Sequence, residues 1–175
     1  LWHCGVRIGA ALGLRRADLH LMADARALGC EVRGPHLHVI PRDNPNRARA
    51  KTTAPFAVPV HLHVVAVYEM YLIERAGVPA AAECDFVFVN LFHEPLGAPM
   101  RYATAHQLLA GLSRKAGLAR RVTPHMFRHG TGRALAPAHH RAAGVRLLAE
   151  IVDVARGRAS QPRHWCGPRE RPREE

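Results

Sequence analysis

Closely spaced histidines are the first residues in this sequence that could do chemistry, because neutral imidazole is a common metal ligand. His125 and His129 stand four residues apart, so a helix would place both on one face, as in some zinc sites. The glutamate of the H-E-x-x-H pattern is missing, and Arg128 beside the pair would oppose a cation. We therefore predict no metal at this pair.

Two further histidine pairs and the cysteines do not predict a metal centre either. The pairs have alternate-residue spacing near strand-like runs, which favours side chains exposed on a strand; they are His36/His38 and His61/His63. The cysteines are scattered, with no C-x-x-C pair and no secretory signal; they are Cys4, Cys30, Cys84 and Cys166. This pattern favours a reducing cytoplasm over a zinc ribbon or disulfide framework. No metal and no cofactor are predicted.

The charge balance favours an acidic partner. Lys and Arg number 25 against 14 Asp and Glu, and the pI is about 10.9. Nucleic acid is the commonest acidic partner of a basic domain, although such a surface can also serve solubility alone. Only Lys51 and Lys115 are lysines, and the arginine excess is typical of a GC-rich coding sequence. No apolar run approaches the roughly 20 residues of a membrane span.

Apolar periodicity predicts mainly helices around a small sheet, an α+β fold. Helices are predicted to end near Leu14, to span 62–76, 103–116 and 143–154, and to begin at Thr123-Pro124. Thr104 is the predicted N-cap of the helix over 103–116, and Gly117 its stop.

The strand predictions concern the segments that connect these helices. Residues 36–40 alternate apolar and polar side chains, and 57–60 are apolar again, so the two runs predict a hairpin with Lys51 near its far end. Residues 84–91 could be a short buried strand or an extended segment leading into a turn at 95–99. After Ala155 the sequence is rich in Arg and Pro, which predicts that 156–175 are disordered.

Three motifs occur in order along the chain. The run GVRIG at 5–9, followed by LGLRRADL at 12–19, resembles the first arginine box of tyrosine recombinases. Lys51 lies on the predicted hairpin, before a VPV at 58–60 that resembles the family's exit strand. The run PHMFRH at 124–129 resembles the second box, H-x-x-R-H. From residue 1 to about 155, the chain thus resembles the catalytic domain of a tyrosine recombinase of the phage-integrase or Xer type.

The resemblance implies roles in phosphoryl transfer at a DNA backbone. Arg7 and Arg128 would hold the non-bridging oxygens of the scissile phosphodiester, since guanidinium groups pair with them bidentately and stay protonated. Lys51 would protonate the leaving 5′ oxygen, and His125 would act as an acid/base partner. The implied partners are double-stranded DNA and, on it, other recombinase subunits, in a bacterial, nucleoid-associated protein.

The chain departs from the family's pattern at the nucleophile. Its tyrosines, Tyr68, Tyr71 and Tyr102, all precede His125, whereas the family's tyrosine follows a Leu-Gly-His box beyond H-x-x-R-H. Arg158 stands where that box would have its histidine or tryptophan. We interpret 156–175 as an out-of-frame tail, which translation of the two other reading frames beyond Val154 would test.

Other departures lie elsewhere in the chain. Ala10 replaces a common glutamate, and PAHH at 137–140 lengthens a connection. The chain begins with Leu1 and lacks the family's N-terminal core-binding domain, so we interpret it as a truncated product. We expect a recombinase-family protein that cradles DNA phosphate but does not exchange strands. The alternatives are a non-catalytic DNA-binding remnant and a basic helical module that binds RNA or protein. The latter would be favoured if Arg7, Lys51, His125 and Arg128 did not converge.

Overall fold

The computed structural model describes residues 4–127 of the chain. The predicted helix over 143–154, the predicted tail, and Arg128, His129 and Arg158 lie outside these residues. No helix within 4–127 has the length and apolar character needed to cross a membrane.

The sheet has three short antiparallel strands in the order β1-β2-β3. They are β1 (Leu19–His20), β2 (His36–Val39) and β3 (Phe56–Pro59). Strands β2 and β3 pair from His36↔Pro59 to Val39↔Phe56, so the predicted hairpin is confirmed, with Lys51 in its connecting loop. Strand β1, which pairs with the start of β2, was not predicted.

Three α-helices surround this sheet within the described residues: α1 (Ile8–Leu12), α2 (Leu62–Ala76) and α3 (Tyr102–Lys115). Helix α2 has the predicted bounds, and residues 124–127 are helical, as the Thr123-Pro124 signal predicted. Helix α1 ends at Leu12, two residues earlier than predicted. The predicted N-cap Thr104 is wrong, because the helix already begins after Arg101 and Thr104 lies inside its first turn.

The main core packs α1 against the inner face of the sheet. Its buried residues are Val6, Ala10, Ala11, Leu14, Leu37, Val39, Val60 and Val87. A second cluster joins Leu12 of α1 and Ala48 of the β2–β3 loop to Ala105 of α3. The loop that carries Lys51 is therefore packed between two helices.

Residues 84–91 form an extended segment and not a β-strand. Of the two sequence predictions, the extended segment is therefore the correct one. The segment makes isolated bridges, Arg15↔Phe86 and Val89↔Pro99. Three of its carbonyls, those of Cys84, Phe86 and Val87, accept from Arg75, a buried side chain of α2 that also donates to Ala81.

Candidate functional site

Arg7 and Lys51, which are 44 residues apart in sequence, meet in the folded chain. Arg7 is the exposed, extended residue that immediately precedes α1. Its Nη1 donates to the backbone carbonyl oxygen of Lys51 at 3.4 Å. Of the basic residues expected to share a site, Arg7 and Lys51 are thus in contact through the backbone of Lys51.

The two residues border a small cavity of about 160 Å³. The cavity is lined by Cys4, Gly5, Val6, Arg7, Ala10, Val39, Ala50, Lys51, Phe56 and Val58. Ala10, which replaces the family's common glutamate, is part of this lining, so this position places no carboxylate beside Arg7. The side chains of Val6, Val39 and Val58 form an apolar part of the lining. The cavity has room for about five water volumes, and so for one compact anionic group.

The ion pairs of the described part of the chain leave the two cations out. Within residues 4–127, carboxylates pair with Arg15, Arg26, Arg42 and Arg49, and not with Arg7 or Lys51. Even the Arg49–Asp43 pair nearby is 3.7 Å long, and both side chains are largely exposed, so it contributes little. The positive charge at the cavity is therefore available to an external anion.

Asn46 fixes the β2–β3 loop against both neighbouring helices. Its buried amide Nδ2 donates to the carbonyl oxygens of Leu12 and Met100, each at 2.9 Å. Its Oδ1 accepts from the backbone N–H of Ala48 at 3.1 Å. Because Leu12 ends α1, its carbonyl has no partner within the helix, and Asn46 supplies one. This contact sets where the loop, and with it Lys51, lies relative to Arg7.

Gly9 allows the loop to lie directly on α1. A Cβ at Gly9 would be 2.3 Å from the backbone oxygen of Arg49, closer than any real contact. Only glycine fits where these two segments cross. Gly9 lies two residues after Arg7, and Arg49 lies two residues before Lys51. The GVRIG motif thus supplies the guanidinium and also the close approach that brings the lysine loop to it.

Asp18 of the first arginine box holds the beginning of the same loop. It is 3% exposed and accepts from both Nη atoms of Arg42, at 2.6 and 2.7 Å. Its carboxylate also accepts from the backbone N–H of Arg15 at 2.8 Å. The hydrogen bond to Asp18 raises the pKa of the Arg42 guanidinium above its usual value. Arg42 is therefore a structural cation, in contrast to Arg7.

His125 is exposed and lies in the helical turn that begins at Pro124. This segment is attached to α3, since the backbone N–H of Val122 donates to Ser113 Oγ at 2.9 Å. Helix α3 in turn packs on α1, which Arg7 precedes. The approach of His125 to Arg7 and Lys51 stays a prediction, and Arg128 lies outside the described residues.

The largest departure from the sequence prediction is a cluster of His20, Cys30, His36 and His38. The predicted exposure of His36 is wrong: it is 0% exposed, and His38 is partly buried. Leu37 and Val39 face the core, so their strand neighbours point to the other face, which the segment between β1 and β2 covers. Burial, and then the imidazoles of His20 and His36, lower the pKa of His38. A histidine and a cysteine shortly before an H-x-H strand were the available signal.

The other histidine pair behaves differently. His61 and His63 are exposed, as predicted, but they lie at the start of α2 and not on a strand. His61 caps the helix, since its Nδ1 accepts from the backbone N–H of His63 at 3.1 Å.

Comparison with known proteins agrees with this fold. The chain is 28% identical over 130 residues to Transposase A from transposon Tn554 of Staphylococcus aureus, in strains Mu50 and N315. That match covers 74% of this chain and 32% of the relative, so the chain spans about a third of the transposase's length. The fold is similar to the crystal structure of XerA recombinase, with a TM-score of 0.56 at 21% identity, over 89% of this chain and 48% of the other. The family described as "Phage integrase family" matches residues 1–153, and the chain therefore belongs to the phage integrase family.

Proposed function

We propose that this chain binds double-stranded DNA and holds one backbone phosphate between Arg7 and Lys51. The observation that carries the proposal is the meeting of these two residues at one cavity, without a carboxylate partner for either within residues 4–127. A guanidinium forms charge-assisted hydrogen bonds to two phosphate oxygens, and an ammonium adds a compact point charge. Both groups suit the anionic oxygens of a phosphodiester.

The roles follow the chemistry of the side chains. Arg7, and Arg128 with it, would neutralise the charge that develops on the non-bridging oxygens as the phosphate becomes pentacoordinate. Lys51 would deliver the proton to the leaving 5′ oxygen, since an ammonium releases a proton far more readily than a guanidinium. His125 would act as the acid/base group near the attacking oxygen. Residues 1–155 would thus form the catalytic domain, and other recombinase subunits would join it on DNA.

We expect DNA binding to be sequence-tolerant and sensitive to salt, with a Kd of roughly 10⁻⁴–10⁻⁶ M at physiological salt. Lys51→Ala should weaken duplex binding about fivefold at low salt and lower the salt slope by about one unit, because one phosphate contact is lost. Fluorescence anisotropy of a labelled duplex across a salt series measures both quantities.

Lys115→Ala is the matched control, since the two lysines are both exposed and Lys115 lies at the end of α3, outside the cavity. We expect it to change affinity and slope much less than Lys51→Ala does. Equal effects of the two substitutions would contradict the phosphate site. Tighter binding to RNA than to duplex DNA would favour the RNA-binding alternative. Absence of binding to either nucleic acid would favour the protein-binding alternative.

We further propose that this 175-residue chain forms no covalent DNA intermediate by itself. No tyrosine follows His125, so the chain has no phenol oxygen at the position from which the family's nucleophile attacks. Incubation with a nicked suicide duplex should therefore give no covalent protein–DNA adduct on a denaturing gel.

Tyr102 provides the informative control. It begins α3, and its hydroxyl lies beside Gly9, 3.1 Å from where a Cβ on that residue would be. An adduct formed by the wild-type chain and absent from Tyr102→Phe would contradict the proposal and assign the nucleophile to Tyr102.

A further inference from the structure

Three imidazoles and one thiol converge on the outer face of the sheet, away from the Arg7–Lys51 cavity. The donor atoms of His20, Cys30, His36 and His38 all lie within 4.8 Å of one another. Cys30 Sγ is 3.3 Å from His36 Nε2 and 3.5 Å from His38 Nε2. The two Nε2 atoms are 3.1 Å apart. Three donors from two segments thus form one compact triangle.

The size of that triangle matches one face of a zinc tetrahedron. With Zn–N near 2.0 Å and Zn–S near 2.3 Å, tetrahedral angles place two nitrogens roughly 3.3 Å apart, and a nitrogen and a sulfur roughly 3.5 Å apart. The distances in the structure lie within about 0.2 Å of these edges. A metal bound by all three donors fixes the distance of every pair at these values. Separate hydrogen bonds between pairs do not fix all three distances at once.

The surroundings of His36 fix its metal-binding nitrogen. Its Nδ1 lies 2.7 Å from the carbonyl oxygen of Gly34, and because a carbonyl only accepts, Nδ1 carries the proton. Nε2 of the neutral ring then points its lone pair into the cluster. Ligating histidines commonly have such a carbonyl or carboxylate behind them, which orients the ring.

His20 supplies the fourth corner. It is directly paired with His36 across β1 and β2, and its ring centroid lies 5.0 Å from that of His36 and 4.7 Å from that of His38. Its Nδ1 is buried and has no hydrogen-bond partner among residues 4–127. A buried polar atom without a partner is costly. A metal ion bound at this cluster would give the four side chains a shared partner.

We propose that His20, Cys30, His36 and His38 form a structural Zn²⁺ site. Thiolate sulfur and imidazole nitrogen are the donors that Zn²⁺ takes in structural sites, and four protein ligands leave no open position. Binding would deprotonate the Cys30 thiol and release its proton to solvent. The ion would tie the segment between β1 and β2 to the sheet, on the strand that leads into the Lys51 loop. This site is independent of the proposed DNA function.

The test is metal binding by the full chain in the absence of DNA. The chain, stripped of metal and titrated with Zn²⁺, should bind one equivalent, and Co²⁺ should give the intense visible bands of a tetrahedral ion with a thiolate-to-cobalt charge-transfer band. Cys30→Ser and His38→Gln should each weaken Zn²⁺ binding by roughly 100-fold or more, since even changes behind a ligand cost about 10–100-fold. Cys84→Ser, at another partly buried cysteine, should leave the affinity unchanged.

Two results would overturn the site. One is a wild-type chain that binds no stoichiometric Zn²⁺, and the other is wild-type affinity in Cys30→Ser. If that variant does not fold, the chain with Cys4, Cys84 and Cys166 changed to serine decides the matter, because Cys30 is then its only thiol. A thiolate-to-cobalt band in that chain supports the site, and its absence refutes it. Since no DNA is present, neither result bears on the phosphate proposal.

Discussion

Replacing Arg75 by methionine is expected to lower the free energy of unfolding by about 3–5 kcal/mol. The Arg75 side chain is buried on the inner side of α2 and donates to four backbone carbonyls, those of Ala81, Cys84, Phe86 and Val87. Methionine fills a similar space but has no donor, so the carbonyls of Cys84 and Phe86 would lose the donor that binds them. The carbonyls of Val87 and Ala81 would keep Tyr71 Oη and the backbone N–H of Cys84. Urea unfolding followed by circular dichroism measures the difference.

The planar guanidinium with its several N–H donors, and not its charge alone, is needed to bind these carbonyls. Arg75→Lys should therefore recover only part of the lost stability, since an ammonium cannot span all of these carbonyls. Glu74→Met, at the exposed neighbouring position, should change stability by no more than about 0.5 kcal/mol. A loss below about 1 kcal/mol in Arg75→Met would show that the segment at 81–87 is held by something else.

Replacing Asn46 by alanine is expected to cost about 2–3 kcal/mol of stability and to weaken DNA binding by the folded protein as well. Three hydrogen bonds are lost, of about 1 kcal/mol each, and the carbonyls of Leu12 and Met100 lose a buried partner. The loop is then no longer fixed to α1, so Lys51 leaves its place beside Arg7. Urea unfolding measures the first effect, and anisotropy with a labelled duplex under fully folding conditions measures the second.

Asn90→Ala separates the two effects. Asn90 is also buried, and its side chain donates to a backbone carbonyl, that of Pro95, which is not part of the β2–β3 loop. We expect it to lower stability and to leave the DNA affinity of the folded protein unchanged. If Asn46→Ala also preserved full affinity, the loop would not depend on this amide for its position.

The regular elements that carry this site were predictable from local pattern. The bounds of α2 and the pairing of β2 with β3 follow from apolar periodicity, which depends only on which face each residue presents. The resemblance predicted that Arg7 and Lys51 share one site, and the structure places Arg7 against the backbone of Lys51. The roles of these residues, and the place of His125 beside them, stay predictions.

Long-range polar contacts were not predictable in the same way. Nothing in the spacing of Asn46 distinguishes a turn residue from an anchor, because its partners at Leu12 and Met100 come from distant parts of the chain. The strand-like run at 84–91 makes only isolated bridges, and Arg75 binds the carbonyls of Phe86 and Val87 in the middle of it. The alternation at 36–40 predicted a strand, but could not show that a separate segment covers its polar face.

Within residues 4–127, the arginines differ in how firmly their contacts hold them. Arg42 and Arg75 are held by a buried carboxylate and by backbone carbonyls, and Arg15 pairs with Asp85 while lying 3.6 Å above the ring of Phe86. These side chains hold the loops and segments around α1. Arg7 is exposed and donates only weakly, to a backbone oxygen. The total of 25 lysines and arginines therefore overstates the number of cations available to DNA.

A double-mutant cycle in DNA binding would show whether Arg7 and Lys51 hold the same phosphate. The Kd for one labelled duplex would be measured at a fixed low salt concentration for the wild-type chain, Arg7→Ala, Lys51→Ala and the double variant. If both side chains hold the same phosphate, their losses are coupled, and the loss in the double variant should differ from the sum by more than about 0.5 kcal/mol. Losses that add to within about 0.3 kcal/mol, or that do not exceed the effect of Lys115→Ala, would contradict a shared phosphate site.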